Sequence, residues 1–275
     1  MTILISADEL ATALDSDHPP VLLDVRWQLG GPPGHESYLE GHIPGAVYVD
    51  LDTELAGHGE PTGGRHPLPT LEALQTAARR WGIHEGDTVI AYDAVGDTAA
   101  ARAWWLLRWA GIGDVRLLDG ALGAWTEAGH PLATDDVVPT PGSVSLTPGH
   151  LTVLPFEQVA AYDGVLLDAR AAERYRAEVE PVDPKAGHIP GATSAPTSDN
   201  LRPDGRFLPA EELRARFTAL GVEADSPVAT YCGSGVTAAH QIAALAIAGH
   251  DAALFPGSWS QWSNHDLPVA TGEQT

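Results

Sequence analysis

The chain has 275 residues, 44% of them hydrophobic and 19% charged, with a formal net charge of -22. That is enough for two ordinary domains or one large one, and so acidic a surface repels nucleic acid and anionic membranes, which are set aside as partners. No basic start precedes the apolar residues before Leu14, which Asp8 and Glu9 interrupt, and no long apolar run follows, so neither a secretory leader nor a membrane span is expected.

In chain order, short β-rich runs at residues 21–25, 47–49, 89–92 and 115–118 predict strands. Helical patterns fill 71–81 and 99–110, and Gly82 and Gly111 stand where helix C-caps belong. Pro139, Pro141, Gly142, Pro148 and Gly149 then interrupt a stretch with no helical period. It reads as a linker over 136–150, dividing a first domain (1–135) from a second (151–275). Beyond it, strands are predicted at 165–167, 228–231 and 252–255. Helices are predicted at 210–220 and 237–248, stopped by Gly221 and Gly249. Strand–helix alternation of this kind predicts an α/β fold, with a mainly parallel sheet in each domain and helices on both of its faces. Ligands of such sheets bind beyond the C-terminal ends of the strands.

The two halves repeat one another. Leu22-Leu23-Asp24-Val25-Arg26 returns as Leu166-Leu167-Asp168-Ala169-Arg170, and Gly41-His42-Ile43-Pro44-Gly45-Ala46 returns as Gly187-His188-Ile189-Pro190-Gly191-Ala192. Val89-Ile90-Ala91-Tyr92-Asp93 matches Val228-Ala229-Thr230-Tyr231-Cys232, and Thr98-Ala99-Ala100 matches Thr237-Ala238-Ala239. Units this long mean two similar domains, not a solenoid. The repeated histidines, His42 and His188, sit inside Gly/Pro turns and read as structural. Asp24 and Asp168 read as loop braces. Trp104, Trp105 and Trp109 share one predicted helix and read as core or domain interface.

Cys232 is the single cysteine, so no internal disulfide and no cysteine-based zinc site is expected, and a reducing, cytoplasmic compartment suits it. It ends a predicted buried strand and is followed by Gly233-Ser234-Gly235-Val236-Thr237 and a helix. Two glycines let the backbone curl, successive N–H groups form an anion-binding nest, and the helix N-terminus adds a positive partial charge. All three favour a negative charge at the centre of the loop. A phosphatase loop of the form Cys-x5-Arg is excluded because Ala238 stands six residues on and no arginine follows Cys232. His240 is too local for a protease pair, and thiol–disulfide exchange wants a second cysteine. A thiolate that attacks sulfur and holds it as a persulfide remains. No cofactor and no metal site is expected.

The tandem Asp-x-Arg and Gly-His-Ile-Pro-Gly-Ala units, over nearly the whole chain, resemble the tandem-domain rhodanese superfamily. The loop from Cys232 to Ala238 is similar to that of its 3-mercaptopyruvate sulfurtransferases, whereas thiosulfate-using members tend to carry Arg and Lys at the positions of Gly233 and Ser234. The resemblance implies that Cys232 carries a persulfide, cradled by Gly233, Gly235, Val236 and Thr237. It implies that Arg174 binds the donor anion, and that Ser234, His66 and Asp52 form a Ser-His-Asp arrangement. A second donor-binding arginine is expected nine residues after Arg174; here that position is Asp183, and Lys185 is expected to substitute. Asp93 takes the cysteine position in the first copy, which makes that domain catalytically silent. The implied partners are a small anionic sulfur donor and an acceptor, either cyanide or a thiol such as a thioredoxin-like one. The competing readings are a thiosulfate:cyanide sulfurtransferase and a non-catalytic sulfur-relay or partner-binding module.

Overall fold

Nearly every predicted strand and long helix forms within a residue or two of its expected place in the computed structural model, which describes residues 2–273. The strands are β1 (Leu4–Ile5), β2 (Val21–Asp24), β3 (Val47–Tyr48), β4 (Val89–Tyr92), β5 (Val115–Leu118), β6 (Val165–Asp168), β7 (Thr193–Ser194), β8 (Val228–Tyr231) and β9 (Ala253–Leu254). The helices of the first repeat are α1 (Ala7–Leu14), α2 (Gly34–Glu40), α3 (Leu51–Glu54), α4 (Leu71–Arg80), α5 (Ala100–Trp109) and α6 (Ala121–Glu127). Those of the second are α7 (Phe156–Val159), α8 (Ala172–Tyr175), α9 (Ala210–Ala219), α10 (Thr237–Ala248) and α11 (Ser258–Trp262).

The chain divides into two compact units whose boundaries are not a single cut. The first takes the residues up to Gly57 together with Pro69–Leu151 and Arg202–Phe207. The second takes His58–Leu68, Thr152–Leu201 and the residues from Leu208 onward. The 136–150 stretch, expected to be a linker, is bound along the first unit. Gly142 donates its N–H to the Arg79 carbonyl at 2.7 Å, and Ser143 donates to Ile83 at 3.1 Å. Val144 and Leu146 are buried there. Proline removes donors but does not prevent a segment from docking through the donors and apolar side chains it retains.

Within the first unit the sheet runs β1-β5-β4-β2-β3, all parallel, with Leu22 opposite Ile90 and Ile90 opposite Arg116. Helix α5 packs on β4 and β5, and burial of Trp104 and Trp105 makes them core residues. Leu10, Leu22, Ile90, Leu118 and Trp125 join α1 and α6 to the sheet in one core. Within the second unit the order is β7-β6-β8-β9, again parallel, and a bridge from Val153 to Leu254 stands where β1 stands in the first. Helix α10 packs on β8 and β9, while Leu166, Ala229, Phe255, Trp259 and Trp262 form a core with α7 and α11. In each sheet successive connections leave in opposite directions, between β2 and β4 and between β6 and β8. The crevice at such a switch point, at the C-terminal strand ends, is where ligands of parallel sheets bind.

The repeat extends to single hydrogen bonds. Arg26 is bidentate to Asp24 and donates to the Gly41 carbonyl at 3.0 Å; Arg170 is bidentate to Asp168 and donates to Gly187 at 2.6 Å. His42 stacks on Tyr38 at 3.9 Å between ring centroids and His188 on Tyr175 at 3.6 Å, and both imidazoles are buried. The tyrosine hydroxyls donate to Ala46 and Ala192, each at 2.8 Å. These residues hold the turn after the second helix of each repeat, as the sequence predicts.

Candidate active site

Cys232 directly follows β8 at the switch point of the second sheet and is 2% exposed. Its Sγ accepts the Gly235 N–H at 3.1 Å, so the loop closes around the sulfur. Gly235 has a φ of +79°, and a Cβ there would stand 2.3 Å from the Pro256 carbonyl oxygen; only glycine fits. Helix α10 begins behind the loop with Val236 at its N-cap and no side-chain capping bond, which leaves its first N–H groups directed at the loop.

Helix α11, not expected from the sequence, fixes the other side of the loop. The Cys232 N–H donates to Ser258 Oγ at 3.1 Å, the Trp259 N–H donates to the Cys232 carbonyl at 3.0 Å, and the Ser260 N–H donates to Gly233 at 2.8 Å. Ser258 holds a φ of +52°, an unfavourable conformation for a residue with a Cβ, maintained here by these bonds.

The segment His58–Leu68 belongs to the same unit and brings two side chains to the loop. Gly64, with a φ of +90°, packs so closely that a Cβ would come within 2.8 Å of the Gly257 carbonyl oxygen. Arg65 then donates its N–H to Ser260 Oγ at 3.1 Å. His66 Nδ1 lies 2.7 Å from Ser234 Oγ, with both residues nearly buried. This is the Ser234–His66 contact that the sequence resemblance implies. Asp52 lies in the first unit, where it accepts the Trp27 indole N–H at 3.0 Å.

Two guanidinium groups flank Gly233. A Cβ on that residue would meet Arg65 Nη2 at 3.1 Å and Arg174 Nη1 at 3.3 Å. The absence of a side chain at position 233 gives both cations room at this distance from the loop. Arg174 is expected from the sequence; Arg65 is not. Its only signal is its position between Gly64 and His66 in a segment that the resemblance already places near the site. Lys185, expected to replace the second arginine, instead donates its ammonium to the His265 carbonyl at 2.6 Å. That carbonyl lies just beyond the end of α11.

Asp183 bridges the two arginines: it pairs with Arg65 Nη1 through Oδ1 and with Arg174 Nη2 through Oδ2, the latter at 3.2 Å. Glu180 accepts from Arg174 at 2.7 Å and from the N–H groups of Val182 and Asp183 at 3.1 and 3.0 Å. Burial raises the Asp183 carboxyl above its ordinary value, opposed by the Arg65 charge.

The corresponding loop of the first unit is filled by its own carboxylate. Asp93 accepts N–H groups from Val95 at 2.7 Å, Asp97 at 2.9 Å, Ala99 at 2.7 Å and Ala100 at 3.1 Å. Asp93, Asp97 and Ala100 are fully buried. A carboxylate does not act as a sulfur nucleophile, and this one occupies the nest that an anionic ligand would use. Among the described residues no cluster of histidine, cysteine or acidic side chains is suited to a metal ion, and no helix is long and apolar enough to cross a membrane.

The rhodanese-like domain model matches this chain twice, over residues 6–128 and 157–265. A protein of Mycobacterium tuberculosis provisionally named a thiosulfate sulfurtransferase is 47% identical over 98% of this chain and 97% of its own length. One of Pseudomonas aeruginosa, provisionally named a 3-mercaptopyruvate sulfurtransferase, is 45% identical over 98% of both chains. The crystal structure of the Escherichia coli 3-mercaptopyruvate sulfurtransferase superposes with a TM-score of 0.84 at 33% identity, covering 94% of this chain and 99% of that one.

Proposed function

Because this chain belongs to the rhodanese-like domain family, with two copies of the domain, we propose that it is a sulfurtransferase. In this reading it takes sulfane sulfur from 3-mercaptopyruvate onto Cys232 and passes it to a thiol or to cyanide. The observation that carries the proposal is the closure of the loop on Cys232 Sγ, with two guanidinium groups beside Gly233. The Cys232 thiolate attacks the donor sulfur, and an S–S bond forms as the donor C–S bond breaks. The C–S electron pair leaves as pyruvate enolate, the enolate takes the proton that the donor thiol carried, and Cys–S–S⁻ and pyruvate result. A second thiolate, or cyanide, then attacks the outer sulfur and releases the Cys232 thiolate. Backbone N–H groups of the Gly233–Thr237 loop suit the anionic outer sulfur.

Arg174 and Arg65 are assigned to the donor carboxylate, since each offers a planar fork that matches it. Ser234 and His66, 2.7 Å apart, are assigned to the enolate oxygen and its proton. This proton chemistry favours 3-mercaptopyruvate, because thiosulfate leaves as sulfite and has no enolate to protonate. The second reading is thiosulfate as donor: a dianion suits two arginines, and the relative provisionally named for thiosulfate shares 47% identity. A cytoplasmic location, where thiols stay reduced, is part of this reading, and a single cysteine with no disulfide partner supports it.

The test is intact-mass measurement after exposure to each donor, with kcat/KM for both. One added sulfur is expected on the wild type and none on Cys232→Ser, with 3-mercaptopyruvate the better donor. His66→Ala should depress 3-mercaptopyruvate use more than thiosulfate use. Turnover by Cys232→Ser would overturn the mechanism, and a clear preference for thiosulfate that survives Ser234→Ala would overturn the donor alone. A wild type that takes no sulfur from either donor would make the chain a non-catalytic module.

A further inference from the structure

The donor seat is balanced in charge. Arg65 and Arg174 are matched there by Asp183 and Glu180: Arg65 pairs with Asp183, and Arg174 pairs with both carboxylates. Asp183 is the member nearest the site, because it alone bridges the two arginines that flank Gly233. Its side chain is only 2% exposed, so water does little to screen it. The Nε–H groups of Arg65 and Arg174 are buried and have no hydrogen-bond partner, so the carboxylates do not use all the donors of either guanidinium.

We infer that Asp183 is a specificity-determining residue that sets the charge of the donor: it neutralises Arg65 and Arg174 and so penalises a dianion relative to a monoanion. The inference rests on the proposed chemistry at Cys232. A seat of zero net charge offers an incoming anion little net Coulombic gain. The cost of stripping water from that anion rises with the square of its charge, so a dianion pays about four times as much as a monoanion of the same size. Removing the Asp183 charge leaves the seat with one net positive charge, and the resulting attraction is twice as large for a dianion. If a monoanion gains about 3-fold from that change, a dianion of similar shape gains about 10-fold, the square of the factor.

Asp183→Asn keeps the shape of the side chain and removes its charge. At fixed ionic strength it should raise kcat/KM about 3-fold for 3-mercaptopyruvate and about 10-fold for thiosulfate, moving the ratio towards thiosulfate. Asp183→Ser should move the ratio the same way, and Asp183→Glu should leave it near the wild-type value. The wild type tests the idea without any variant, through competitive inhibition by sulfate and methanesulfonate, which are close in shape and differ by one charge. Methanesulfonate should bind at least as tightly as sulfate, whereas sulfate binding more than about 10-fold tighter would overturn the inference. A donor ratio unchanged in both neutral variants, with the Cys232 persulfide still forming, would overturn it while leaving the sulfurtransferase reading intact. Absence of any added sulfur on Cys232 would overturn both.

Discussion

Arg65 and Arg174 reach Gly233 from different parts of the chain, and both are partly exposed in their ion pairs with Asp183. If they bind the donor as proposed, each supplies a charge-assisted contact worth about 1.5–3 kcal/mol, roughly 10- to 150-fold in kcat/KM. Arg174→Ala and Arg65→Ala should each lower kcat/KM for 3-mercaptopyruvate by a factor in that range. The double variant should lose less than the product of the two factors, because the residues share one carboxylate partner. Steady-state kinetics on the three variants checks this, and an Arg65→Ala enzyme with unchanged kcat/KM would remove Arg65 from the site. Lys185→Ala should leave donor use nearly intact, since its ammonium is engaged by the His265 carbonyl.

At the scale of elements, the same strand–loop–helix unit appears twice with opposite contents. After β8 the loop closes on a sulfur through Gly235, and Gly233 leaves room for two cations. After β4 the loop closes on the Asp93 carboxylate through four N–H groups. A thiol at position 93 would sit in a fully buried nest beside the Asp97 carboxyl. The combined Asp93→Cys, Cys232→Ser protein should therefore show neither added sulfur in an intact-mass spectrum nor turnover with either donor. Recovery of either would mean that the β4 loop opens in solution.

At the scale of the whole molecule, the first repeat retains a buried acidic pair that costs stability. Asp97 is fully buried and neither of its carboxyl oxygens has a hydrogen-bond partner. Burial, followed by the neighbouring Asp93 charge, raises its carboxyl well above the ordinary range. A carboxyl with a raised folded-state value contributes fully below its unfolded value, near 4, and loses that contribution as pH rises towards the folded value. Asp97→Asn, which stays neutral and tolerates the φ of +64° at this position, should raise the Tm at pH 7. The gain should be about 2–4 °C for each kcal/mol recovered, and it should shrink as the pH falls from 7 towards 4. Thermal unfolding of both proteins at pH 7 and pH 4 measures the difference, and an equal shift at both would assign it to backbone preference.

What can be read from the amino-acid order alone is what local pattern carries. The duplication, the parallel sheets, the Asp24–Arg26 and Asp168–Arg170 braces and the Cys232 loop all lie within short stretches whose periodicity or turn chemistry dictates them. The Ser234–His66 pairing was legible only through family resemblance, since the two residues stand 168 positions apart. Tertiary structure alone decided the rest. It returned His58–Leu68 to the second unit and Arg202–Phe207 to the first, and bound the 136–150 stretch along the first unit instead of leaving it free. It chose Arg65 over Lys185 beside Gly233, and made Asp183 the partner of both arginines. The physical reason is common to these cases. An ion pair or a docked segment depends on which distant backbone comes within a few ångströms, and neither spacing nor hydrophobic period records that distance.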